Sequence, residues 1–554
     1  VTPVVETPVV ETPVVETPVV ETPVVVAPTV NTITKALLDF VSGDTLAGTA
    51  DDDVLNLEIN AALGATTTIS GIETVNVTSY GANSVNFTKI SDVDKFVISD
   101  GTGTVTLAAV ADAAMVLGFE GTGTNTMIAG YAAGALAGAT DVLNLDLSGA
   151  TAVSVTVDAG FESISVNTGG ATIAGGAAAT AASDIDALTV PGVTKLTVIG
   201  DGALDIADGV ADAATVLDAS EATGAITMGT PAATGYVTGA MEGATAGTTV
   251  TLGSGNDSIG FNANAAAGKN DSIKLDGGDD HLVLDPSGTG SVVVMGGAGD
   301  DQVRVVSTGS SALAATDVIN LGIGDDTLEI SNDVAQSLVL RGVENLTVVG
   351  SATNSTVDIV SSNKALNVVY EAVADDDVSV SSLTAGSTVT VNAVSTTTAA
   401  AAELESVNVD FQVAEAASTI DVNVALKNSA TIESTNVTDV TFDFAAAVTS
   451  SGNGGTIEVN NATGLTITGA KDMFFANVLA GGDKLTTLTV NASDKVFLGD
   501  IVNDAKLETV SITATDNATI GAIADADTLT SLTVTSSAGS VTTGALGASS
   551  ANTT

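Results

Sequence analysis

The sequence has no cysteine, no tryptophan and a single histidine, His281, in 554 residues. Without thiols there are no disulfides and no thiolate metal sites, and one histidine cannot build a His-rich zinc or haem centre. Basic residues are scarce as well. Fourteen Lys and Arg stand against 66 Asp and Glu, a formal net charge of −52. Such a field repels nucleic acid and anionic lipid, and it strains a compact fold unless cations neutralise part of it. No apolar run reaches the roughly 18 to 20 residues that span a bilayer. Neither nucleic-acid binding nor membrane insertion is therefore expected.

Catalysis finds little footing. There is no His-Glu-x-x-His, and the many serines have no base at hand except His281, which lies in an acidic turn between Asp280 and Leu282. A solvent-facing place is expected for it, and the chain reads as a non-enzyme.

Aromatic residues make up 3% of the chain against 45% hydrophobic residues overall. Val, Ala, Leu and Ile must fill any core. Thr, Val and Ile dominate most segments, and β-branched side chains suit a pleated surface better than a helix. The 58 glycines recur at short intervals, which favours strands broken by tight turns.

Proline is concentrated at one end. Residues 1–30 place it at positions 3, 8, 13, 18, 23 and 28, and only Pro191, Pro231 and Pro286 follow. A proline every five residues predicts an extended, semi-rigid linker, with a recognition tail as the alternative.

Beyond residue 30 two phrases recur. The first is "DVLNL" at 53–57 and 141–145 and "DVINL" at 317–321; the second is "GIETVNV" at 71–77, "GFESISV" at 160–166 and "GVENLTV" at 342–348. Their spacings suggest a degenerate module of roughly 90 residues. Alternation within each copy, as in Val75 and Val77 against Asn76, is a strand signature of period two. Short strands with small inward residues and Gly/Asn/Asp turns predict an all-β chain folded as a parallel β-solenoid or β-roll. A string of β-sandwiches would alternate similarly but would supply more aromatics and prolines. The expected regions are a linker (1–30), a solenoid repeat region (31–250), a cation-binding region (251–330) and a β-rich repeat region (331–554) that could carry additional β domains. The Ala/Gly-rich stretches 129–140 and 177–188 read as short helices or tight turns.

The acidic turns hold the chemistry. "LGSGNDSI" (252–259), "KNDSIKL" (269–275), "DGGDDHLVL" (276–284), "GGAGDDQVRV" (296–305) and "GIGDDTLEI" (322–330) align on an aliphatic residue with an aspartate two positions earlier: Asp257, Asp271, Asp280, Asp301 and Asp326. Calcium takes six to eight oxygens from carboxylates and carbonyls. Glycine lets such a turn curl its carbonyls inward, and here Gly255, Gly278, Gly297, Gly299, Gly322 and Gly324 stand in place to do so. "GTADDDVL" at 48–55 adds Asp53 as a further candidate. The competing reading is an acidic turn that merely solvates a strand end. A tandem array would space the aspartates by nine, as Asp271 and Asp280 are, whereas longer intervals separate the rest.

"GGAGDDQVR" at 296–304 fits the nine-residue pattern Gly-Gly-x-Gly-x-Asp-x-aliphatic-x of RTX proteins. With the "DVLNL" and "GIETVNV" phrases, the chain resembles RTX-type bacterial surface-layer (S-layer) proteins such as those of Campylobacter and Caulobacter, in scattered phrases over most of 40–350. The resemblance implies type I secretion, folding outside the cell on Ca2+, and self-assembly into a two-dimensional lattice on the bacterial cell surface. It also implies anchoring to lipopolysaccharide, through a region outside this chain, and calcium ligation by Asp257, Asp280, Asp301 and Asp326. No anchoring domain at the start and no secretion signal at the end is evident, as expected of a fragment or processed form. The alternatives are the stalk or repeat region of a secreted RTX adhesin and the repeat segment of a secreted enzyme.

Overall fold

Alternation decides the architecture. In the strand Asp53–Ile59, Asp53, Leu55, Leu57 and Ile59 are buried while the residues between them are only partly so, and the same beat runs through Thr74–Ser79, Ser163–Asn167 and Asn345–Val349. In the computed structural model these strands wind into a parallel β-solenoid. The structure describes residues 30–547 apart from 50–51, 100–102, 122, 124, 170–181, 207–213, 232–236, 239–240, 307–311, 332, 351–355, 374–376, 394–402, 424, 446–447, 449–454, 482–483, 503–504 and 525. The proline-rich segment 1–29 lies outside the described residues, as do 177–181 of the stretch 177–188, whose remainder runs into the strand Ser183–Thr189.

Each coil contributes one strand to each of two parallel stacks. The first stack runs through Asp53–Ile59, Thr74–Ser79, Lys95–Ser99 and Val116–Glu120 and on to Asn270–Gly277, Ser291–Ala298 and Val318–Ile323. The second includes Ser258–Asn262, His281–Asp285, Gln302–Val305, Thr327–Ser331 and Asn345–Val349. Near the N-terminal end a short third pairing, Thr45–Ala47 with Thr68–Ser70, squares off the coil. Two 20-residue strands, Glu403–Val422 and Ala425–Phe444, turn the corner and pair in both stacks. From Gly455–Asn460 onward both stacks continue to Ser531–Ser536 and Val541–Thr543. Residues 331–554 therefore extend the same solenoid over their described length and form no separate β domains. Among the described residues there is no α-helix, only the 3-10 turns Phe87–Lys89 and Ala526–Thr528.

Parallel register stacks like on like. Ile259, Leu282, Val303, Leu328, Leu346, Val368 and Val389 form one inward column, all buried. Each such aliphatic contributes about 1.5–3 kcal/mol by leaving water, which explains how a chain so poor in aromatics fills its interior. The "DVLNL" phrases all fall on the first stack. The glutamate phrases do not: Glu73 and Glu162 precede first-stack strands, whereas Glu344 precedes a second-stack strand. The structural unit is thus a single coil, and the module of roughly 90 residues is no unit of the fold.

Candidate metal centre

At one edge of the second stack the acidic turns lie directly above one another. The Asp257 N–H donates to Oδ1 of Asp280 (2.7 Å), the Asp280 N–H to Oδ1 of Asp301 (3.1 Å), and the Asp301 N–H to Oδ1 of Asp326 (2.9 Å). Below them, Ile226 N–H donates to Oδ1 of Asp257 at 2.7 Å. These partners are 23, 21 and 25 residues apart along the ladder proper, one coil each. A spacing of nine links the two turns of one coil, as in Asp271 and Asp280 or Asp317 and Asp326, whereas successive rungs of the ladder are a whole coil apart.

All four side chains are at most 2% exposed, yet in each the second oxygen, Oδ2, is buried without a hydrogen-bond partner. At Asp257 the Gly253 N–H lends partial support without closing a hydrogen bond. Buried polar atoms are almost always satisfied, and four orphaned carboxylate oxygens in successive coils are an exception that demands a partner. Their electrostatics agree. Burial pushes Asp280 up to about 8, with repulsion from Asp257, Asp301 and Asp279 added to it, and pushes Asp257 and Asp301 up to about 6. Asp326 is raised for the same reason.

The residue before each aspartate builds an outer ladder of the opposite sense. The N–H of Asp279 donates to Oδ1 of Asn256 (3.0 Å), that of Asp300 to Asp279 (2.9 Å) and that of Asp325 to Asp300 (2.9 Å). This row is exposed. The doubled "DD" of the sequence is therefore one buried rung and one solvated rung.

The glycines make room for the stacking. A Cβ on Gly299 would stand 2.0 Å from the carbonyl oxygen of Gly278 one coil below, and its φ of +136° disfavours any other residue. Carbonyls likewise crowd Gly255 (2.5 Å from Gly224), Gly278 (2.3 Å from Gly255) and Gly324 (1.9 Å from Gly299). Gly297 and Gly322 do the same beside the first-stack strands, with Asp276 O at 1.6 Å and Gly297 O at 2.2 Å from the added carbon.

Two expected ligands stand elsewhere. Asp271 belongs to the first stack, and both its oxygens are used: Oδ1 accepts from Thr248 N–H (2.8 Å), Oδ2 from those of Asn264 (3.1 Å) and Ala265 (3.0 Å). Asp317 is built alike, accepting from Val292 and Ala314 N–H groups at 2.8 Å each. These carboxylates cap turns, each oxygen already accepting backbone N–H groups. Asp53 lies far from the ladder along the solenoid; the Thr49 N–H and hydroxyl bond its carboxylate, and the former chiefly holds it below the usual range. His281 is half-buried on its strand, and burial, then Arg304, lowers its pKa.

Sequence reading missed the glutamates as rungs. Glu73, Glu162 and Glu344 each accept, through Oε2, the N–H of an aspartate in the preceding coil: Asp53 (2.8 Å), Asp141 (2.8 Å) and Asp326 (3.2 Å). The recurrence of Gly-apolar-Glu behind an acidic phrase was the trace of this bond. Among the described residues no three Asp, Glu, His or Cys side chains converge as a metal cluster, so any cation here relies on neighbouring rungs in pairs. Comparison of the chain with protein-family models, with curated proteins and with solved structures returned no match.

Proposed function

We propose that the chain is a structural protein: a secreted, calcium-stabilised solenoid that self-assembles into an S-layer lattice on a bacterial surface. The observation that carries the calcium reading is the column of buried carboxylates, each with one unpartnered oxygen. Carboxylate oxygen is the donor a hard cation prefers, and the formal charge of −52 needs counter-charge. Asp257, Asp280, Asp301 and Asp326 would hold the ion, with carbonyl oxygens of the glycine turns and water completing its shell. Bound calcium supplies positive charge that keeps these carboxylates ionised inside the fold; the chain's own part is to hold them in register at coil spacing. The lattice reading rests on the resemblance of the "DVLNL", "GIETVNV" and "GGAGDDQV" phrases to surface-layer proteins, with which an elongated, repetitive body is compatible.

Negative-stain electron microscopy of the purified chain tests it. Ordered sheets or tubes in millimolar calcium that vanish in chelator are expected, and dispersed particles in both conditions would refute the lattice. A second reading, the stalk of an RTX adhesin, draws on the unbroken stacking from Asp53 to Thr543, which suits a rod; it predicts single elongated particles with calcium present.

A further inference from the structure

The ladder of buried acids has two unlike ends. At the lower end Ile226 takes the rung position and brings no charge. At the upper end the rungs continue one step past Asp326 to Glu344, whose Oε2 accepts the Asp326 N–H at 3.2 Å. There the series stops. In the next coil Asn345 pairs with Asn367, so the position matching Glu344 is Leu366, a buried aliphatic that offers no oxygen.

The other oxygen of Glu344 is not orphaned like those below it. Oε1 accepts a charged hydrogen bond from Lys364 Nζ at 2.6 Å. In each lower rung the residue two places before the acid is a glycine: Gly255, Gly278, Gly299, Gly324 and Gly342. Two places before Leu366 stands Lys364. Its backbone is pinned by Ser362, whose hydroxyl accepts from Lys364 N–H (3.2 Å) and donates to its carbonyl (2.8 Å). The ammonium thus arrives where the glycine column ends. An ion pair this solvated, with the lysine side chain 49% exposed, adds little to stability. Its consequence is local charge.

We propose that Lys364 terminates the cation row: its ammonium takes the place of the metal ion that Asp326 and Glu344 would otherwise bind, confining calcium to the gaps between Asp257, Asp280, Asp301 and Asp326. This rests on the calcium reading of the ladder and adds its upper boundary. A tethered monocation neutralises Glu344 without needing an ion from solution, so the last coil of the row is closed at any calcium concentration.

The test is calcium stoichiometry of the full chain, stripped with chelator and titrated with CaCl2 by calorimetry, with far-UV circular dichroism to confirm folding. Lys364→Met and Lys364→Gln, which remove the charge by two routes, are expected to bind one more calcium per chain than the wild type. Lys364→Arg keeps the charge and the wild-type number, and adding Glu344→Gln to Lys364→Met removes the extra site. Wild-type binding with no gain in either charge-removing variant, or an equal gain in Lys364→Arg, would overturn the role of Lys364 alone. No uptake by the wild type would overturn the calcium reading itself, and this inference with it.

Discussion

Stripping the aspartate ladder of cations should make the surrounding coils prefer acid. The folded-state pKa values of Asp257, Asp280 and Asp301 are raised from 3.8 to about 6, about 8 and about 6. A raised carboxylate binds its proton more tightly folded than unfolded, so its contribution is fully present below about pH 4 and is lost as pH rises through the folded values. At roughly 1.4 kcal/mol per pKa unit, Asp280 alone accounts for a loss on the order of 5 kcal/mol by pH 9, an upper bound because the rungs titrate together. On the proposed calcium reading, the ion should reverse it. With the dissociation constants of extracellular modules, about 10⁻⁴ to 10⁻³ M, 10 mM calcium returns roughly 1.4 to 2.7 kcal/mol per site, or about 4 to 8 kcal/mol over three sites. Loss and recovery are of one size, so the metal can restore at pH 8 what deprotonation removes. Since solenoid stability is local, the assay is hydrogen-exchange mass spectrometry on peptides covering His281–Asp285 and Gln302–Val305, corrected for intrinsic exchange. In chelator their protection should fall by about three orders of magnitude between pH 5 and pH 8, given that each 1.4 kcal/mol is tenfold, and 10 mM calcium should recover most of it at pH 8. Protection that ignores both pH and calcium would refute the reasoning.

Two further pairs of substitutions separate capping from cation binding and stacking from flexibility. Asp271→Ala leaves three backbone N–H groups without their acceptor and should cost about 3 kcal/mol or more, equally in calcium and chelator by urea denaturation; Asp301→Ala should instead remove two of the three proposed sites and most of the calcium-dependent part, besides leaving the Asp280 N–H without its acceptor. Gly299→Ala drives a carbon into the Gly278 carbonyl and should cost several kcal/mol, whereas Gly268→Ala, at a φ of +78° with open space around it, should cost about 1–2 kcal/mol, both read from urea midpoints.

What could be read from the sequence was what is local. Period-two alternation placed the inward residues of Asp53–Ile59 and Asn345–Val349 correctly, because pleating acts within a few residues. Four of five clustered aspartates fell in one column because Gly-x-Asp-x-aliphatic encodes a turn followed by a core residue. "KNDSIKL" shares only the Asp-x-aliphatic half of that phrase, with Lys269 where the column aspartates have glycine, and it lies in the other stack; which edge a turn serves also depends on where the coil closes, some 21 to 25 residues away. The pairing of Glu344 with Asp326, 18 residues earlier, needed the coil length as well. Nothing near Lys364 announces its reach back to Glu344. That contact exists only once the coils are stacked.

The direction of the hydrogen bonds also fixes how the solenoid bears load. Strands lie across the long axis, so every ladder bond between coils points along it. Tension applied end to end loads these bonds one row at a time, in peeling and not in shear, and the terminal coil yields before its neighbour feels the force. Each released coil of 21 residues pays out roughly 70 Å of chain while its departure shortens the rod by only about 5 Å. Pulled from its ends, such a chain would lengthen in discrete steps, and a row of cations bridging successive rungs would set the force at which that stepwise unwinding passes through residues 257–326.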